Sequence, residues 1–303
     1  MYRVVFAAAA AYNIVFGLWA ALFPRAFFTM FHLDAPRYPA IWACLGMVVG
    51  LYGVGYAYAA WRPERGAPFI AIGLAGKILG PIGWVMAVHS GELPFRTFPL
   101  LVFDDLMWWL PFAMFLLDRT AIVDFLKRTA PYWCATFHTI AAIGAVILLR
   151  EGPARWEMWR AGWLLWMLSA VSLLGFYACW GARAARTLAM IGFAIAAAGL
   201  FCDFAGESIL IAWLPRAEDP LYRIAALLSA GAGNGLYTIG GIVLTIASPL
   251  PALLRAWAWV IWAAGISMTL LTIADSATGI VIASIVLMVL FVPWVVLVGV
   301  KLR

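Results

Sequence analysis

The chain is short of charge. Only 11% of its 303 residues are Asp, Glu, Lys or Arg, against 66% hydrophobic, and its mean hydropathy is +0.98. A soluble domain carries roughly 25% charged residues, so so few charges cannot cover a water-facing surface of this size. Lipid is therefore the expected solvent. Other absences narrow the chemistry. The four cysteines, Cys44, Cys134, Cys179 and Cys202, sit in or beside apolar runs without CxxC spacing. They read as small buried hydrophobes rather than zinc ligands or a disulfide. Three scattered histidines leave little room for a di-iron site or bis-histidine haems. There is no Walker A sequence, HExxH, GxSxG, spaced diphosphate-type acid motif or potassium filter. No cofactor and no metal is expected.

Backbone groups in hydrocarbon must be satisfied internally, which leaves helices or closed barrels. A barrel would show ~10-residue stretches of alternating polarity. This chain instead has uncharged runs such as Ile41 to Ala60 and Ile280 to Val300. The fold class expected is an all-α polytopic transmembrane bundle of about ten spanning helices, with eight to ten compatible with the pattern.

The expected spans are 4–23, 41–60, 68–88, 98–117, 131–149, 158–180, 185–213, 221–247, 254–273 and 279–300. Prolines or charged clusters mark several ends: Pro24, the Trp61–Arg65 cluster, Pro131, and Pro249 with Pro251. The polar stretch Asp118 to Thr129 divides a four-helix block, 1–128, from a six-helix block, 129–303. Met1-Tyr-Arg and the run behind it resemble a signal peptide, but no A-x-A-type site follows, so the first span reads as retained. No internal repeat is visible.

Net charge is +6, spread singly over short loops, which points to topology and anionic headgroups rather than nucleic acid. With a cytoplasmic N-terminus the inner ends hold Arg3, Arg62, Arg65, Arg119, Lys127, Arg128, Arg183, Arg186, Arg255, Lys301 and Arg303. The outer ends hold Arg25, Arg37, Arg96, Arg150, Arg155, Arg160, Arg216 and Arg223. The small excess inside places both termini in the cytoplasm, and the alanine-rich compact loops suggest a bacterial cytoplasmic membrane. Trp61, Trp180, Trp213 and the cluster Trp156, Trp159 and Trp163 mark expected interfaces.

Ionisable residues inside spans are the functional candidates, because hydrocarbon makes them costly. These are Lys77 in the third span, Asp104 and Asp105 in the fourth, and Asp203 and Glu207 in the seventh. Asp203 and Glu207, four apart, share a helix face. Asp104 and Asp105 point about 100° apart, so one of them can pair with Lys77, which Gly76 and Gly80 flank. If these helices meet, one lysine cannot neutralise all the acids, and the surplus must be protonated, hydrated or cation-bound.

Asn13, His138, Asn234 and Trp108 are second-rank polar or lining candidates. Asn234 follows Ser229-Ala-Gly-Ala-Gly, either a close-packing face or a loosened helix lining a cavity. The leading functional expectation is a secondary transporter of a small or amphipathic solute, coupled to protons or a monovalent cation. Here Asp203 and Glu207 titrate, Asp104 is a partner and Lys77 a countercharge, with Asp105, Trp108, Asn13, His138 and Asn234 around the solute. The first alternative is a membrane enzyme using a protonated carboxyl for isomerase- or cyclase-type chemistry on a lipid or isoprenoid. The second is a non-catalytic complex or assembly partner. The expected partners are membrane lipids, the substrate and the coupling ion, without nucleic acid, and short loops leave helix-to-helix homo-oligomerisation open.

Overall fold

The structure is a computed structural model that describes residues 2–118, 121–151, 156–182, 184–213, 215 and 219–301, with the backbone alone for 121–123, 147–151 and 156–158. Arg119, Arg155, Arg183, Arg216 and Arg303 therefore lie outside the described residues, as do the side chains of Arg150 and Trp156.

The protein is an all-α, multi-pass integral membrane protein. The chain forms two compact units, Met1–Thr120 and Ala121–Arg303. Unit 1 contains α1 (Tyr2–Leu22), a short α2 (Ala26–Met30), α3 (Pro39–Trp61), α4 (Ala67–His89) and α5 (Phe95–Leu116). Unit 2 contains α6 (Ala121–Glu151), α7 (Trp156–Gly181), α8 (Arg186–Trp213), α9 (Pro220–Ala247), α10 (Ala252–Ile273) and α11 (Ala277–Lys301). Among the described residues, nine of these helices are long and apolar enough to cross a membrane. The 31-residue α6 contains the expected fifth span.

Large apolar side chains point outward all along the spans: Leu51 is 69% exposed, Leu79 66% and Val289 65%. Faces of that kind are insoluble in water and natural in lipid, where apolar contact with acyl chains costs nothing. Packing between helices then falls to small residues. On α1 and α3, a Cβ built on Gly17 would lie 2.6 Å from the Gly46 carbonyl oxygen, and one on Gly53 2.9 Å from the Ile14 nitrogen. The two backbones are in direct contact. In unit 2, α8 meets α9 through Gly192, Gly199 and Gly206, spaced by seven residues. They lie against Gly240, Gly233 and Ala225 respectively.

Aromatic rings fill what the glycines leave. In unit 2, the fully buried Trp180 of α7 and Trp294 of α11 meet edge to face at 5.4 Å, and Trp262 of α10 reaches Trp294 at 5.7 Å. Trp294 Nε1 donates to the Leu254 carbonyl and Trp262 Nε1 to Thr245 Oγ1, both at 2.8 Å. In unit 1, Phe6 of α1 packs edge to face on Phe112 and Phe115 of α5, and Tyr56 of α3 joins Phe112.

Two arginines hold turn carbonyls, the usual service of basic side chains at helix C-termini. Arg96 donates to the Phe31 and His32 carbonyls at 2.6 and 2.7 Å, at the end of α2. Arg223 donates to the Thr272 and Ile273 carbonyls at 2.6 and 2.7 Å and pairs with Asp275 at 2.9 Å, at the end of α10. The residue that turns the chain at each place, His32 or Asp275, has positive φ (50° and 58°).

Two sequence expectations change. The polar stretch 118–129 is not a linker throughout, because α6 starts at Ala121 and Pro131 lies inside it. A proline missing one N–H is survivable where the rest of the helix is long, and the polar first turns need no lipid contact. The fourth and eighth spans are not uniform α-helices. Each contains a π turn, Leu101–Leu106 in α5 and Leu227–Gly233 in α9.

Candidate functional sites in the two units

The ionisable residues divide between the units: Lys77, Asp104 and Asp105 belong to unit 1, and Asp203 and Glu207 to unit 2. Each set is described within its own unit.

In unit 1, Lys77 is 5% exposed on α4. Its ammonium donates not to a carboxylate but to the main-chain carbonyl of Asp104. It lies 5.8 Å from the Tyr56 ring centroid and 5.9 Å from that of Trp108, within cation–π range. The reverse connection is also made, since Trp109 Nε1 donates to the Lys77 carbonyl at 2.8 Å. Pro81, four residues after Lys77, has no N–H for that carbonyl. The indole supplies what the proline omits.

The π turn makes the acceptor available. Its wider i→i+5 pattern loosens carbonyls from the α-helical ladder, and two of them are served by side chains: Asp104 O by Lys77, and Phe103 O by Trp108 Nε1 at 2.7 Å. The Asp105 carboxylate fills the space where a Gly80 side chain would stand. Asp104 Oδ1 is shielded from solvent, and no donor among the described residues reaches it. Asp104 lines a cavity of about 210 Å³ between α1, α3 and α5. A larger space of about 300 Å³ between α3 and α4 has only Tyr52 as a side chain able to hydrogen-bond, so it offers little to orient a ligand.

In unit 2, Asp203 is fully served: Ser229 Oγ donates to Oδ1 at 2.6 Å and Tyr237 Oη to Oδ2 at 3.0 Å. Ser229 lies in the π turn of α9 and Tyr237 follows it. Gly233 makes room, since a Cβ there would stand 2.9 Å from the Asp203 Cβ. Glu207, one turn along α8, is the opposite case. It is 0% exposed, and no donor among the described residues reaches Oε1 or Oε2. The neighbouring Ser208 hydroxyl is equally buried and has no partner among the described residues.

On the α7 side, Arg160 Nε donates to the Ile211 carbonyl at 2.9 Å, which fixes the antiparallel register of α7 and α8. Trp163 Nε1 is buried, and no acceptor among the described residues reaches it.

The second-rank candidates are bound into the structure. Asn13 Nδ2 donates to the Ala9 carbonyl of its own helix at 2.9 Å. His138 Nδ1 lies 2.8 Å from the Cys134 carbonyl, with the ring against Phe291 at 5.1 Å. Asn234 clamps α9 to α10 through the Gly265 carbonyl at 2.7 Å and Thr269 Oγ1 at 2.9 Å. Thr269 Oγ1 in turn donates to the π-turn carbonyl of Gly231 at 3.2 Å. Trp108 faces Lys77, as described.

Sequence reading did not single out Tyr237, and it named Ser229 only as the start of a small-residue run and Trp163 only as an interface marker. The hydroxyl of Tyr237 in mid-span was the one local signal; the others depend on packing. Among the described residues, no three His, Cys, Asp or Glu side chains gather as a metal site. Comparison with models of known families, with curated proteins and with solved structures returned no match to this chain.

Proposed function

We propose that the protein is a secondary transporter of a small amphipathic solute, coupled to protons, with Glu207 as the coupling group. The observation that carries this reading is the isolation of the Glu207 carboxyl. A buried carboxylate without donor or counter-charge has its desolvation cost uncompensated, so this group requires a positive partner, and a proton is the smallest. Asp203 supports the assignment by contrast. With two donors already committed to it, Asp203 holds α8 to the π turn of α9, while Glu207 is left free to exchange. The π turn supplies a loosened backbone beside the pair, as at many functional sites. The excess of Lys and Arg at one set of helix ends supports a cytoplasmic-membrane protein with both termini inside.

The test uses purified protein in proteoliposomes containing a pH-sensitive dye, challenged with external amphipathic solutes of either sign, in wild type and Glu207→Gln. A solute-dependent change in internal pH that disappears in E207Q is expected. In parallel, infrared difference spectra after a pH jump should show a carboxyl band missing in E207Q. A solute-driven pH change that survives E207Q, or a wild-type spectrum without a responding carboxyl band, would overturn the assignment.

A further inference from the structure

Arg186 and Arg255 come to one corner of unit 2, where α8 begins beside the turn that joins α9 to α10. Ala185 N donates to the Ala247 carbonyl at 3.3 Å, which pins the residue before Arg186 to the end of α9. From the other side, Arg255 Nη2 donates to the Ser248 carbonyl at 3.2 Å, which holds its guanidinium on the same turn. Both arginines are exposed. Arg186 has no hydrogen bond or ion pair among the described residues. Arg255 uses one of its N–H groups on Ser248 and keeps the others.

The sign of a ligand here follows from charges that do not depend on protonation, because arginine stays charged. The chain segments that build the corner carry no acid: none occurs between Glu157 and Asp203 or between Asp219 and Asp275. The neighbouring helix start and end, of α6 and α11, add Lys127, Arg128 and Lys301 against Asp124 alone. Two cations held at one turn repel, and an anion between them turns repulsion into attraction. Guanidinium groups take phosphate through paired N–H donors. Beside the arginines the surface is apolar and open. Leu188 and Ile191 of α8 are exposed, as are Ile246 of α9 (62%) and Leu253 of α10 (78%). A phosphate that carries apolar chains matches both parts of this surface, whereas a free ion matches only the first. Membrane topology accounts for basic residues at helix ends, but not for a guanidinium fixed on the turn against which Arg186 is pinned.

We propose that this corner binds an anionic phospholipid, its phosphate between Arg186 and Arg255 and its acyl chains along Leu188, Ile191 and Ile246. The inference stands on the surface of unit 2 and does not use the coupling role given to Glu207. Its test is native mass spectrometry of the full-length protein in detergent micelles, titrated with dioleoylphosphatidylglycerol or dioleoylphosphatidylcholine. The first phosphatidylglycerol should bind at least tenfold tighter than the first phosphatidylcholine, and Arg186→Gln with Arg255→Gln should remove that preference. Arg186→Gln alone breaks no bond among the described residues. It should weaken phosphatidylglycerol about fivefold, the effect of one basic residue at an anionic headgroup surface, even where the double variant folds poorly. Arg62→Gln with Arg65→Gln, which removes the same charge from the α3–α4 turn of unit 1, should leave the preference intact. Inorganic phosphate should not displace the lipid. Equal affinity for the two lipids, a preference untouched by R186Q, an equal loss in R62Q/R65Q, or displacement by phosphate alone would overturn the proposal.

Discussion

The exchange between α4 and α5 makes a quantitative prediction. The carbonyl of Lys77 is buried, lacks its helical N–H because residue 81 is proline, and receives the Trp109 indole at 2.8 Å. Trp109→Phe keeps most of the ring but removes that donor. Leaving a buried carbonyl unserved costs about 1–3 kcal/mol, and no water in the bilayer core can take over. Trp109 is 36% exposed, so the packing lost with the smaller ring is the lesser effect. Pro81→Ala restores a backbone N–H at the position that would bond Lys77 O.

In the P81A background, W109F should therefore cost less, with a coupling of about 1 kcal/mol between the two sites, in the range expected for groups sharing one partner. The measurement is reversible unfolding in mixed micelles by added sodium dodecyl sulfate, followed by far-ultraviolet circular dichroism, for all four proteins of the cycle. Equal costs of W109F in the two backgrounds would refute the idea that the indole replaces the proline's missing donor.

Ser229→Ala and Tyr237→Phe should each destabilise by about 1–3 kcal/mol in the same assay, because each strips one donor from a buried Asp203. Both effects should shrink in Asp203→Leu, where no carboxyl needs serving. Gly240→Leu should cost more than the ~1–3 kcal/mol of ordinary overpacking, since a Cβ there already stands 2.7 Å from the Gly192 carbonyl. Gly83→Leu, with nothing within 4 Å of its Cβ position, should be nearly neutral. Arg96→Ala should release the end of α2 by uncovering the Phe31 and His32 carbonyls, seen as faster proteolysis between residues 31 and 38 with the spans intact.

What could be read from the sequence follows the range of each signal. Lipid as solvent and the run of helices were legible because a charge-poor 20-residue stretch is a local fact. Pro24 and the Pro249–Pro251 pair lie at or just beyond helix ends, as expected. Pro81, Pro111, Pro131 and Pro293 do not end their helices, and at Pro81 the reason is non-local, a tryptophan on another helix. Asp203 and Glu207 were legible as candidates because a carboxyl in a span is anomalous wherever it occurs. Their different environments were not, because Ser229 and Tyr237 reach only Asp203, through a register that local spacing does not disclose. The seven-residue spacing of Gly192, Gly199 and Gly206 was visible, but its partners on α9 do not repeat it.

That mismatch explains the π turn. On α8 the contact residues are separated by seven and seven. On α9 their partners Ala225, Gly233 and Gly240 are separated by eight and then seven. Eight residues of straight α-helix end about 80° off the starting face, whereas seven end about 20° off it. The π turn spans 227–233, inside the eight-residue interval. Because each of its residues turns less than an α-helical one, the excess residue is absorbed and Gly233 returns to the contact face. Ser229 and Tyr237, also eight apart, are brought toward one face in the same way and meet the two oxygens of Asp203.

Deleting Ala230 should therefore be tolerated by the fold, unusually for a deletion inside a membrane span. The glycine contacts would then be seven and seven on both helices, and Ser229 and Tyr237 would stay on one face. Deleting Ile242, in the regular part of α9, should instead rotate everything beyond it by about 100° and unfold the helix pair. Monodispersity and the unfolding midpoint in detergent separate the cases. If both deletions are equally destructive, the π turn is not the seat of a single extra residue, and its place beside Asp203 needs another cause.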